Sequence, residues 1–168
     1  MKLLQTYNAN SFEPKDYIVR KVVRCVILDE NENKVLLFGG IFVGGGVEED
    51  ETDEEAIIRE ALEEVGAKVE ILKPLGEIVS YRDYLKKKYV THGYFCKYIE
   101  TISQPTTLDT DEKNAKAEWA DIDETLARLQ KEIDVLIKEG EEYHGGELYQ
   151  SKLHNRQITL LLLKEALL

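Results

Sequence analysis

Three glutamates, Glu60, Glu63 and Glu64, crowd together in the stretch from residue 45 to residue 67, GGVEEDETDEEAIIREALEEVGA. Like charges held that closely repel one another. A hard divalent cation relieves the repulsion, because Mg²⁺ takes carboxylate oxygens and substrate phosphates as ligands. The chemistry suggested is metal-assisted attack by water on a phosphorus centre.

A helix is needed to bring these side chains together. Each helical residue turns by roughly 100°, so Glu60, Glu63 and Glu64 fall within one arc of about 100°. Ile58, Ala61, Leu62 and Val65 are expected on the opposite side, as the stripe that faces the core. Thr52 is the expected N-cap, and Glu55 three residues later completes a capping-box pattern. Gly66 stands where a helix needs a residue with positive φ to stop. The helix is therefore expected from Asp53 to Val65. Arg59 lies beside the acidic arc and can hold Glu51 and Glu63 in place while offsetting their charge.

These residues, with the glycines at both ends, resemble the Nudix box, G-x5-E-x7-R-E-U-x-E-E-x-G-U, where U is a bulky aliphatic residue. Gly45, Glu51, Arg59, Glu60, Glu63, Glu64 and Gly66 match it, and Ala61 and Ala67 stand at the two U positions. The preceding run Phe42-Val43-Gly44-Gly45-Gly46 resembles the family's glycine-rich approach, with Val43 where proline is common. The resemblance covers 23 of the 168 residues. It implies a Nudix fold, a mixed β-sheet sandwiched between helices, and hydrolysis of a nucleoside diphosphate linked to another moiety X.

Mg²⁺ is the expected cofactor, with Mn²⁺ able to substitute. Glu60 and Glu64 are assigned as principal ligands, and Glu63 as a further ligand or a shared partner of Arg59. By resemblance, the carbonyl of Gly45 is a backbone ligand. Glu64 is the first choice of general base. Glu112, in a polar loop where relatives often supply a carboxylate, is the second, and Glu118 the third. Arg82 and the lysines 86–88 could meet phosphate. Phe42, Tyr81, Tyr94 and Trp119 could stack on a base, with Phe42 and Arg82 the residues carried forward as substrate contacts. His92 and His144 have no evident partner. A non-catalytic nucleotide sensor is the alternative reading, and the intact box favours the enzyme.

The whole chain narrows the partners. Its net charge of −11 argues against a nucleic-acid polymer, which calls for a basic face. It does not exclude a small phosphorylated nucleotide, since a bound cation supplies positive charge locally. Cys25 and Cys96 lie in apolar runs and read as buried free thiols. The first residues lack the apolar core of a signal peptide, and no run is long enough to span a membrane. A cytoplasmic protein is expected, with a homodimer left open.

The length of 168 residues suits one domain. Residues 1–15 read as a peripheral lead-in. Residues 17–30 and 35–38 read as a strand hairpin, followed by a loop rich in glycine. After the acidic helix, residues 69–84 read as a strand interrupted at Pro74-Leu75-Gly76, and residues 89–102 as its return. A polar loop over 104–116 leads to a short ordered run at 118–121. Asp123 is the expected N-cap of a helix over 124–138, and a loop over 140–150 precedes a final helix over 155–168. Strands, one early helix and late helices match an α/β sandwich.

Overall fold

The computed structural model describes the whole chain except residues 8–16, 30, 32, 83–84, 107–114 and 144–146. Among the described residues, seven strands form one sheet: β1 (Leu3–Tyr7), β2 (Ile18–Leu28), β3 (Lys34–Phe38), β4 (Ile41–Phe42), β5 (Ala67–Arg82), β6 (Lys87–Thr101) and β7 (Ala117–Asp121). Helix α1 (Asp53–Val65) follows β4, and α2 (Ile122–Tyr143) and α3 (Glu147–Ala166) close the chain. The strand order is β1-β5-β6-β2-β3-β4, with β7 also paired to β3. β1 and β5, and β2 and β6, run parallel, while the remaining pairs are antiparallel. The sheet is thus mixed, as expected.

Alternation along the strands divides the core in two. Val23, Cys25, Ile27, Leu36, Phe38, Tyr94 and Cys96 point to one side and pack with Ala56, Ile57, Ala61 and Val65 of α1. Val26, Leu28, Val35, Leu37 and Ile78 point to the other and pack with Ile158, Leu162, Leu163 and Ala166 of α3. Cys25 and Cys96 are buried and free. Among the described residues, no helix is long and apolar enough to cross a membrane.

Several elements differ from the sequence-based expectations. The lead-in over residues 1–15 contains β1, which pairs in parallel with Glu77 to Ser80 and forms the sheet edge. The triplet Pro74-Leu75-Gly76 does not break β5; it is absorbed by register shifts against β6, where the ladder tolerates proline's missing N–H. Helix α2 begins earlier than expected, and its cap is Asp121, whose Oδ1 accepts the Glu124 N–H at 3.0 Å. It also runs on through Gly140. A Cβ at that position would stand 2.0 Å from the Tyr149 hydroxyl, so Gly140 marks a close crossing of α2 and α3.

Candidate functional site

Helix α1 has the predicted limits. Thr52 and Glu55 form both halves of the capping box, and Gly66 adopts φ +65° with its N–H directed to Ala61 and Leu62 carbonyls. Its orientation corrects the expected core stripe. Ile58 is 54% exposed, whereas Asp53, Ala56, Ile57, Ala61, Glu64 and Val65 are buried. The acidic arc and the buried face therefore overlap. Burial is tolerable because each inward carboxylate finds donors.

Glu64 illustrates this. Its Oε2 accepts the Gly44 N–H at 2.8 Å, inside the protein. Gly44 has φ +136°, and a Cβ there would lie 2.2 Å from the Val23 carbonyl oxygen. Next to it, Glu60 Oε1 lies 2.2 Å from where a Cβ on Gly45 would stand. Two carboxylates thus converge on consecutive peptides of the glycine loop. The loop is pinned to β2 by Val23 N–H to the Gly45 carbonyl at 2.9 Å and by Cys25 N–H to the Val43 carbonyl at 2.8 Å. The Gly45 carbonyl keeps a second lone pair beyond that bond.

Arg59 organises the outer side. Its Nε and Nη2 each donate to Glu51 at 2.8 Å, Nη1 donates to Glu60 at 2.8 Å and to Glu63 at 3.4 Å, and Nη2 also reaches the Gly46 carbonyl at 3.0 Å. The bidentate pair with Glu51 is the strong geometry for this ion pair. It holds Arg59 protonated well above its ordinary range and draws the Glu51 carboxyl down. Burial pushes the Glu60 carboxyl up against the opposing pull of Arg59. Glu63 is more open, its side chain 45% exposed. Among the described residues, no three acidic, histidine or cysteine side chains are already gathered around a common point for an ion.

A cavity of about 420 Å³ opens beside this loop, on the α3 side of the sheet. Asn155 and Ile158 of α3 face residues of β2, β5 and β6 across it. Glu64 and the glycines 44–46 line it with Arg20, Arg24, Arg82, Ser80, Thr91 and Asn155, and Val22, Phe38, Ile41, Tyr89 and Ile158 add apolar surface. Arg24 donates to the carbonyls of Phe42 and Gly44. Arg82 stacks over the Tyr89 ring at 4.0 Å and donates to Asn155 Oδ1 at 3.2 Å.

Arg82 thus lines the cavity with Glu64. Phe42, expected at the substrate, is instead 1% exposed in the α3-side core with Leu37, and its ring does not line the cavity. Glu112 and His144 lie outside the described residues. Glu118 is exposed on β7, opposite Leu37. The other ring candidates are engaged elsewhere: Tyr81 with Tyr17, Trp119 with Tyr98, and Tyr94 with Asp53. Arg20 and Arg24 were not singled out from the sequence. Their even spacing of four within β2, with Val22 midway between them, was the available signal, because it places both on one face of a strand.

His92 has partners, contrary to expectation. Its Nδ1 lies 2.6 Å from Asp53 Oδ2 and its Nε2 3.1 Å from Glu77. Asp53 also accepts the Tyr94 hydroxyl at 2.9 Å and pairs with Lys21 at 2.7 Å. Burial tends to raise the Asp53 carboxyl, but donation from His92, Lys21 and Tyr94 outweighs it and brings the value below 3.8. The resulting stabilisation is complete above the unfolded value of 3.8 and is lost as pH falls through the lower folded one. Asp53→Asn is therefore expected to cost about 2 kcal/mol at neutral pH, the scale of a hydrogen-bonded buried charge. Thermal unfolding of both proteins from pH 7 downwards checks this. The gap should close in strong acid, and a gap independent of pH would remove Asp53 as the source.

The family model described as NUDIX domain matches residues 19–139. No curated protein matches the chain. Among solved structures, a NUDIX hydrolase from Nitrosomonas europaea is similar over 84% of this chain and 90% of its own, at 20% identity and a TM-score of 0.54. The E. coli ORF135 protein is similar over 66% of this chain and 79% of its own, at 20% identity and a TM-score of 0.50. At that identity the likeness is one of fold.

Proposed function

Because the chain belongs to the NUDIX domain family, we propose that it is a pyrophosphohydrolase that cleaves a phosphoanhydride in a nucleoside diphosphate linked to a moiety X, using Mg²⁺ or Mn²⁺. The observation that carries this reading is the meeting of Glu60 and Glu64 with Gly44 and Gly45 at the mouth of a cavity lined by arginine.

The donor set fits such an ion. Mg²⁺ commonly uses one or two protein carboxylates, keeping waters and substrate phosphates for its other positions. Glu60 and Glu64 would hold it, with Glu63 and the Gly45 carbonyl as further ligands. When bound there, the cation supplies charge neutralisation and a more acidic water.

The chain's own residues do the rest. Arg59 holds Glu60 and Glu63 in position through a network that includes Glu51. Glu64 is the general base, receiving the proton of the attacking water. Arg24, anchored to the loop carbonyls, faces phosphate oxygens as charge builds on them. Glu112 is the next candidate base. The substrate is a small nucleotide derivative, and a cytoplasmic setting agrees with the two free thiols.

A panel of nucleoside diphosphate derivatives incubated with Mg²⁺ tests the proposal. Turnover is expected to produce a nucleoside monophosphate or pyrophosphate, to stop with chelator and to return with Mg²⁺ or Mn²⁺. Full activity in chelator would overturn the metal-dependent mechanism. Tight nucleotide binding with no turnover of any member would favour the sensor reading.

A further inference from the structure

We propose that the end of the cavity remote from Glu64 is a second anion site, built to hold a phosphate group carried by X. The preferred substrates would then bear a phosphate beyond the anhydride that is cut. The substrate half of this inference rests on the hydrolase reading; the site itself does not.

Three adjacent strands build the site. Ser80 of β5, Tyr89 of β6 and Arg20 of β2 lie in one row across the sheet, and Arg82 follows Ser80 by two residues on the same face. Arg82 is fixed by the ring of Tyr89 and by Asn155. Its Nε is buried with no hydrogen-bond partner among the described residues, and so is the hydroxyl of Ser80, a residue with 0% exposure. Buried polar atoms that line a cavity and lack protein partners are the expected trace of a bound group.

The missing group is an anion. Among the described residues, neither Arg20 nor Arg82 forms an ion pair, in a chain of net charge −11. Burial lowers the Arg82 pKa, Tyr89 opposes this, and the charges of Arg24 and Arg20 lower it further. An anion at the Arg82 guanidinium relieves that repulsion. A base has less to stack on, since Phe38 is 6% exposed in the core and Tyr89 already carries Arg82.

The anion is also distinct from the scissile diphosphate. Arg24 donates to the Gly44 carbonyl and the Arg20 guanidinium lies against Gly46, whereas Arg82 and Ser80 stand on β5, two strand spacings from β2, about 10 Å. Guanidinium and hydroxyl donors approaching from several directions suit a tetrahedral phosphate better than a planar carboxylate.

The test is titration of inorganic phosphate into the full chain in excess chelator, followed by calorimetry. Saturable binding is expected in the wild type. Arg82→Gln should weaken it by about tenfold or more, the loss of one charge-assisted contact, and Arg20→Gln, at the glycine-loop end, should weaken it less. Glu64→Gln should not weaken it. A second arm compares kcat/KM for two nucleoside diphosphate sugars that differ only in a phosphate on the sugar. The wild type should favour the phosphorylated one, and Arg82→Gln should reduce that ratio. No phosphate binding by the folded wild type, or binding by Arg82→Gln equal to the wild type, overturns the proposal even if hydrolysis is found. Arginine-dependent binding without hydrolysis of any nucleotide would leave the anion site standing and overturn the enzymatic reading instead.

Discussion

Glu64→Gln is expected to lower kcat by about 10²–10⁴-fold, the range for loss of an acid–base group, with little change in the unfolding midpoint. Glutamine keeps the length of the side chain, and its carbonyl oxygen can still accept the Gly44 N–H that Glu64 Oε2 accepts at 2.8 Å. It removes the charge and the basicity. Steady-state kinetics at saturating Mg²⁺, beside a thermal melt, separate the two effects. A folded variant with unchanged kcat would move the base elsewhere, and Glu112→Gln would be the next substitution to measure.

Gly44→Ala is expected to have the largest effect on stability. The residue sits at φ +136°, and its added methyl would meet the Val23 carbonyl, a backbone atom that cannot rotate aside. Strain of this kind costs about 1–3 kcal/mol before any clash is counted. For a chain of this size, 3 kcal/mol corresponds to a fall in Tm of about 6–12 °C. Activity should fall as well, since moving the loop removes the N–H that orients Glu64. Gly46→Ala is the matched control, because the atoms nearest its methyl would be the mobile guanidinium of Arg20. Equal melting temperatures for the two variants would show that the Gly44 backbone is not under this constraint.

The parts of the molecule legible in the sequence are those defined by short-range rules. Thr52, Glu55 and Gly66 set the ends of α1 through bonds to residues a few positions away, so α1 has the expected limits. The β-branched run of β2 and the return of β5 into β6 are similarly local. The parts that were not legible depend on partners distant in sequence. β1 is a strand because β5 offers it an edge, more than seventy residues on. Ile58 is exposed because donors on β2, β6 and the glycine loop let Asp53 and Glu64 occupy the inner face instead. Phe42 looked like a stacking residue beside the glycines, but a two-residue strand turns its ring into the core. Arg20 and Arg24 follow the strand period, yet only the placement of the glycine loop and α3 reveals that their face borders a cavity.

Helix α1 is fastened at both ends. Asp53 in its first turn is tied to β2 and β6 through Lys21, His92 and Tyr94, and Gly66 at its end accepts the N–H groups of Ile102 and Ser103. A helix frays from its termini, and neither terminus here is loose. Amide protons in the middle of α1, around Ala61, should therefore exchange with solvent only as fast as the sheet itself opens. The carboxylates at its centre belong to the same cooperative unit as the core and have no local unfolding route of their own.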